Sequence, residues 1–207
     1  STQTPIPPSE TPAPTETLAP TETTMPTATT ALDGSGGGII AFVANPSNPY
    51  DMEIFLMNAD GSGRRQITDL KLVIFALDWS PDGERLVFMA SEEDEGPYDI
   101  FTINMDGTNL KALTDQSTND GFPTWSPDGN LIAFISDRDG DDEIFLMTPD
   151  GEILSQVTNN EAVEEKAEWS PDGTSLIYTS NRDGNKEIFI QYLETGEVVQ
   201  LTHTEYP

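Results

Sequence analysis

The densest set of reactive side chains lies in one short stretch, "DRDGDDE", which holds Asp137, Asp139, Asp141, Asp142 and Glu143. Carboxylates packed this closely are hard oxygen donors of the kind that hold Ca²⁺. The glycine does not sit where an EF-hand loop needs it, after three acids spaced two apart. "NRDGNKE" (181–187) and "SEEDEGPYD" (91–99) occupy corresponding places. The competing use of the same residues is mechanical. Asp-Gly makes the turn of a β-hairpin, with Arg138 paired to Glu143 and Arg182 to Glu187 across it. That second use is the expectation, and Ca²⁺ is the single cofactor these residues would suit.

Candidates for catalysis are sparse. The chain has no Cys and one histidine, His203. A Ser-His-Asp triad would have to run through His203, which follows the last apolar segment, and no G-x-S-x-G accompanies it. One histidine also falls short of the several imidazoles that propeller lyases and metalloenzymes use. "GSGGG" (34–38) lacks the G-K-[ST] of a phosphate loop. Arg64 and Arg65 stand where a strand begins and read as a solvated edge. No catalytic residue is expected, and the chain reads as a non-enzyme.

Charge narrows the partners. There are 37 acidic residues against 9 basic ones, a net charge of −28. Such a surface repels phosphate backbones and anionic headgroups, which excludes nucleic acid, and it suits cations or basic partners. No apolar run reaches the ~18 residues a membrane-spanning helix requires.

The elements that would position these residues come from a repeat. "WSPDG" occurs three times: Trp79, Pro81, Asp82 and Gly83; Trp125, Pro127, Asp128 and Gly129; Trp169, Pro171, Asp172 and Gly173. The Trp spacings are 46 and 44 residues. Aligned on Trp, "RLVF", "LIAF" and "SLIY" coincide, then "YDIFTIN", "DEIFLMT" and "KEIFIQY", then "LKALT", "ILSQVT" and "VVQLT". A fourth copy stands in front, with "IIAFVA" (39–44), "MEIFLMN" (52–58) and "RRQIT" (64–68). Its Trp position falls on Asp33, so this copy reads as lacking its first element.

Segments of 4–7 residues rich in Ile, Val, Phe and Thr, divided by Asp-Gly and Pro turns, are strands. Four antiparallel strands per ~45-residue repeat make a β-propeller blade. In WSPDG, Pro presets φ, Asp and Gly tolerate turn geometry, and the Trp is placed to fill a seam between blades. The motif reads as structure rather than as a site.

"WSPDGNLIAFISDRDGDDEIFLMTPDG" (125–151) and "WSPDGTSLIYTSNRDGNKEIFIQYLETG" (169–196) resemble the WD40-like (PD40) repeat of the TolB family. The 79–107 copy is similar but lacks the Arg-Asp-Gly turn. The resemblance covers 39–202. It implies an all-β propeller of four-stranded antiparallel blades and a non-catalytic, extracytoplasmic protein that binds a protein or envelope component on one face. The same repeat also forms the gating propeller of prolyl-oligopeptidase-like serine peptidases, and occurs in surface modules that would bind Ca²⁺ or carbohydrate. Those remain the alternatives.

The organisation expected is a Thr/Pro-rich stalk over 1–32, a Gly/Ser joint over 33–38, and a propeller over 39–207 with blades at about 39–68, 69–114, 115–158 and 159–202. Pro and the scarcity of apolar mass keep the stalk extended and solvated, with a reach on the order of 100 Å. Ser and Thr with Pro also suit O-glycosylation. A chain that opens on Ser with no leader reads as processed or as a fragment, tethered from upstream like a surface lipoprotein. The spacing puts the next Trp at position 213. The sequence thus predicts three complete blades plus one lacking its first strand. This is an incomplete or open propeller whose end faces invite self-association.

Overall fold

The middle segments of the repeat, such as "LIAF" and "EIFLM", are near-continuous apolar runs, so each strand has two apolar faces and a lone sheet cannot bury both. The chain answers by stacking sheets. The structure, a computed structural model, describes residues 28–32, 38–45, 52–92, 96–115 and 117–204. The expected stalk as far as residue 27, Asp33 with the joint as far as residue 37, and the last three residues lie outside the described residues.

Sixteen strands are seen among the described residues, in four antiparallel four-stranded sheets, each in simple meander order. Blade 1 holds β1 (Ala28–Leu32), β2 (Gly38–Ala44), β3 (Glu53–Asn58) and β4 (Arg65–Gln66). Blade 2 holds β5 (Val73–Trp79), β6 (Arg85–Ser91), β7 (Asp99–Asn104) and β8 (Lys111–Ala112). Blade 3 holds β9 (Asp120–Trp125), β10 (Ile132–Ser136), β11 (Glu143–Met147) and β12 (Ile153–Gln156). Blade 4 holds β13 (Glu164–Trp169), β14 (Ser175–Ser180), β15 (Glu187–Tyr192) and β16 (Val198–Gln200).

The all-β propeller class stands, but blade 1 does not lack its first strand. β1 pairs with β2 from Ala28 opposite Phe42 to Leu32 opposite Gly38. The expectation tied a first strand to a Trp at position 33. Pairing needs only backbone donors and acceptors, and "ATTAL" lies beyond the last proline of the tail, so each residue can join a ladder. The last five residues assigned to the stalk are therefore a strand, and Gly38, the last residue of the expected joint, is the first residue of β2.

The first strands of neighbouring blades pack on one another, β1 on β5, β5 on β9 and β9 on β13, so they form the inner edge of the stack. The fourth strands are largely exposed and form the outer edge. The core lies between blades. One cluster joins Ala41, Ile54 and Leu56 of blade 1 to Trp79, Leu86 and Phe88 of blade 2. A second joins Val87 and Ile100 to Trp125, Phe134 and Phe145. A third joins Ile135, Ile144 and Leu146 to Leu176, Tyr178 and Phe189, with Trp169 packed against it. Each seam thus sets an aliphatic face of one blade against an aromatic face of the next.

Candidate functional site

WSPDG forms the turn between first and second strands, and it uses up its own polar groups. The Gly83, Gly129 and Gly173 N–H groups donate to the carbonyls of Ser80, Ser126 and Ser170 at 2.8–2.9 Å. Each Ser hydroxyl donates to the Asp two residues on: Ser80 to Asp82 (2.5 Å), Ser126 to Asp128 (2.6 Å) and Ser170 to Asp172 (2.6 Å). Those bonds hold all three carboxyls below the usual carboxylate range, Asp172 at about 2. The turns also stack. A side chain on Gly129 would meet Pro81 Cδ at 3.6 Å, and one on Gly173 would meet Pro127 Cδ at 3.6 Å. A cleft of about 260 Å³ between two of these turns is lined by Pro127, Leu131, Trp169 and the spent polar groups around them. The Ser, Asp and Gly groups of the motif are spent on the turn itself, while the buried Trp125 indole N–H has no hydrogen-bond partner among the described residues.

The Thr that ends each repeat has a role the spacing hid. Thr68 Oγ1 accepts the Ile54 N–H at 2.8 Å and donates to Glu53 at 2.5 Å. Thr114 joins Ile100 N–H and Asp99 in the same way, and Thr202 joins Ile188 N–H and Glu187. Thr158 accepts the Ile144 N–H at 2.8 Å and bonds to Glu143. The other carboxylate oxygen takes N–H groups of the connection to the next blade, as Glu53 does from Leu70 (2.9 Å) and Lys71 (3.1 Å).

The acidic turns lie at the opposite end of the blades, between second and third strands, with Gly140 and Gly184 at positive φ as a hairpin requires. The expected ion pairs across them do not form. Arg138 Nη2 instead meets Asp120 Oδ1 at 3.0 Å, and Arg182 Nη2 meets Glu164 Oε1 at 2.9 Å, both at the start of the first strand of the same blade. Each guanidinium also covers an aromatic pair, Arg138 over Phe134 and Phe145, Arg182 over Tyr178 and Phe189. Glu143 and Glu187 are occupied by the Thr clamps, so each Arg turns to the buried acid its planar fork can reach.

The five candidate metal ligands are divided among separate tasks. Asp137 accepts the Asn119 N–H at 2.8 Å, Asp139 accepts from Gln156, and Glu143 is fully buried with Thr158 and Asn160. Burial, then the charges of Asp137, Glu165, Asp141 and Glu164, push the Asp142 carboxyl up. Among the described residues no three His, Asp or Glu side chains converge as a cation cage. His203 is exposed beyond β16.

A feature absent from the motif reading stands at this same end. β5, β9 and β13 each carry a bulge, where two residues oppose one on the neighbouring strand. Its first residue is Phe75, Phe122 or Lys166. All three are exposed, Phe75 at 39% and Phe122 at 44%. Phe122 holds φ at 50° and Lys166 at 47°, a region unfavourable to both side chains. Phe75 packs edge-on against Tyr98, ring centroids 5.5 Å apart. Phe75 and Phe122 thus stand on adjacent inner strands, toward the end of the blades where the turns between second and third strands carry Glu92, Asp137, Asp141 and Asp142. The available signal was an aromatic three or four residues before Trp, blurred because that offset differs between copies.

Residues 34–206 match the family model described as the TolB beta propeller domain. The chain superposes on TolB from Acinetobacter baumannii with a TM-score of 0.69 and 25% identity, covering 80% of this chain and 41% of that one. It superposes on puromycin hydrolase with a TM-score of 0.68 and 18% identity, covering 84% of this chain and 30% of that one. A 49-residue stretch is 41% identical to dipeptidyl-peptidase 5 of Porphyromonas gingivalis, covering 24% of this chain and 7% of that protein. The chain spans less than half the length of each of these relatives. The match over nearly all of the repeat region places the chain in the TolB β-propeller domain family.

Proposed function

We propose that this propeller is a non-catalytic binding module outside the cytoplasm, and that it takes a polypeptide segment carrying basic and apolar side chains at the end where Phe75, Tyr98 and Phe122 lie. The observation that carries this reading is the pair of exposed Phe residues on bulges of adjacent inner strands, one of them in a strained conformation. Strain held in place by the surrounding sheet is a mark of functional positions. The carboxylates around it attract cations, and aromatic faces add cation–π contact to apolar burial. The Thr/Pro-rich residues ahead of β1 would serve as the spacer that holds the module away from its anchor. Among the described residues no helix is long and apolar enough to cross a membrane.

The test is fluorescence polarisation with labelled peptides. Segments with Lys or Arg beside aromatic residues should bind, weaken with added salt, and lose affinity in Phe75→Ala and Phe122→Ala. Equal binding by acidic peptides, or binding untouched by both substitutions, refutes the reading.

The likeness to puromycin hydrolase and dipeptidyl-peptidase 5 favours a second reading, the propeller part of a serine peptidase. The gene sequence flanking this segment decides it. An α/β-hydrolase domain with G-x-S-x-G joined to the propeller would establish the peptidase, and further WSPDG repeats followed by a stop would reject it.

A further inference from the structure

The seam between blades 2 and 3 departs from its neighbours at one place. Strand register sets Arg85 opposite Asn104 and Thr102 opposite Lys111, all on the face of blade 2 that packs on blade 3. Further along that face, Val87 and Ile100 fill the seam with Trp125 and Phe134. The corresponding places at the other seams are apolar. Ile39 of blade 1 and Leu131 of blade 3 stand where Arg85 does, each packed against its own seam cluster. Leu56 and Leu146 stand where Thr102 does, both buried. In a chain with 9 basic residues against 37 acidic ones, a cation and a hydroxyl in place of two aliphatics call for a reason other than packing.

The exchange lines a cleft of about 180 Å³ with Arg85, Thr102, Asn104, Asn109, Lys111 and Pro149. The Arg85 guanidinium lies over the Trp125 ring, its Cζ 4.8 Å from the centroid. Stacking on an indole uses one face of the guanidinium and leaves the N–H groups at its edge. The described ion pairs are those of Lys111, Arg138, Arg182 and Lys186, so Arg85 pairs with no described carboxylate. Lys111 is only partly spent. It donates to Asp150 O at 3.0 Å, as Arg65 does to Met105 O at 2.9 Å one seam earlier. Asp150 Oδ1 stands 3.6 Å from the ammonium on a side chain that is 92% exposed, where water screens it. An ammonium carries three donors, so Lys111 has others to give.

We infer that this cleft binds the carboxylate of a small organic acid, held on the edge of the Arg85 guanidinium with Lys111 and Thr102 donating beside it. The planar fork of an arginine matches the two oxygens of a carboxylate in parallel bonds, and the indole beneath fixes its plane. The rest of the ligand lies along Pro149. A phosphate dianion also suits an arginine fork, but a protein of net charge −28 repels it more strongly than a monocarboxylate. The cleft lies at the WSPDG end of two neighbouring four-stranded blades, opposite Phe75 and Phe122, and it does not depend on the peptide reading of that other end.

The test is saturation-transfer NMR on the protons of propionate with the full chain. The parent should give a saturable signal. Propionamide, similar in shape and uncharged, should give none, and phosphate should displace propionate only at higher concentration. Arg85→Leu and Lys111→Ser place at these positions the residues that blade 3 carries, so urea midpoints should stay near the parent's. Arg85→Leu should weaken propionate binding about tenfold or more, and Lys111→Ser should weaken it less. Arg85→Lys keeps the charge without the fork and should fall between parent and Arg85→Leu, which preserves the test if the Leu variant folds poorly. No saturable signal from the parent overturns the inference. So do equal binding of propionamide, tighter binding of phosphate, or Arg85 variants that bind like the parent.

Discussion

Glu143 and Glu164 meet across the seam between blades 3 and 4, both with no solvent exposure. Glu164 Oε1 is held by Arg182, Ser180 and Asn160, while its Oε2 takes no other protein hydrogen bond. Burial first, and then the bond to Glu164, push the Glu143 carboxyl up to about 7 against the pull of Thr158 and Asn160. A protonated Glu143 donating to Glu164 satisfies the seam.

The native state therefore holds a proton that the unfolded chain releases at about 4.5. Its stabilising effect is complete below that value and is lost as pH rises to about 7, by at most ~3 kcal/mol. Glu143→Gln keeps the donor without a proton. Urea unfolding between pH 4.5 and 8 should show the parent weakening with pH and the variant flat across that window. An unchanged slope in the variant would assign the effect elsewhere.

On the acid side the sign reverses. Asp172 is held at about 2 chiefly by the Ser170 hydroxyl, so its contribution is present above the ordinary carboxylate value and is lost as pH falls toward 2. Ser170→Ala should return the Asp172 titration, followed by carboxyl carbon NMR, toward 3.8. For these two groups alone, both contributions are present together at about pH 4. A midpoint for Asp172 still near 2 in Ser170→Ala would remove the hydroxyl as the cause.

What the sequence showed follows from what a repeat can encode. Strand alternation and the Pro, Asp and Gly of each turn are local and recur, so blade, turn and seam were legible from the Trp spacing alone. β1 was hidden because its pairing is a backbone property and its place had been assigned by a side chain it lacks. The Arg138 and Arg182 partners were misplaced because sequence proximity to Glu143 and Glu187 ignored the Thr clamps that already occupy those acids. Phe122 could not be seen as strained, since a bulge is a relation between two strands.

Two glycines with similar backbone conformations separate seam packing from turn strain. Gly151 has φ of 87° and Leu113 O 2.9 Å from its would-be side chain, whereas Gly196 has φ of 70° and open space. Gly151→Ala should cost more than Gly196→Ala by about 1–2 kcal/mol, because a backbone carbonyl cannot step aside cheaply. Equal losses in urea midpoints would mean the blades slide apart without penalty.

The Thr clamps give a similar contrast. Thr158→Val leaves the Ile144 N–H buried without an acceptor, which costs about 1–3 kcal/mol. Thr202→Val removes the same bond to Ile188, but at the open face of blade 4 where water can replace it. Thermal melts should fall clearly for the first and little for the second. A large drop for Thr202→Val would show that water does not replace this exposed bond.

Phe122 tests whether function is held at the expense of stability. Its φ of 50° is one that Asn tolerates and Phe does not, and its ring is 44% exposed. Relief of strain should therefore outweigh lost contact in Phe122→Asn, raising stability by up to ~1 kcal/mol, while Phe75→Ala, at a bulge without positive φ, should be neutral or slightly destabilising. Both should lose peptide affinity. A Phe122→Asn chain that unfolds more easily than the parent would make the ring part of the packing, and would withdraw the argument that its conformation is maintained for a partner.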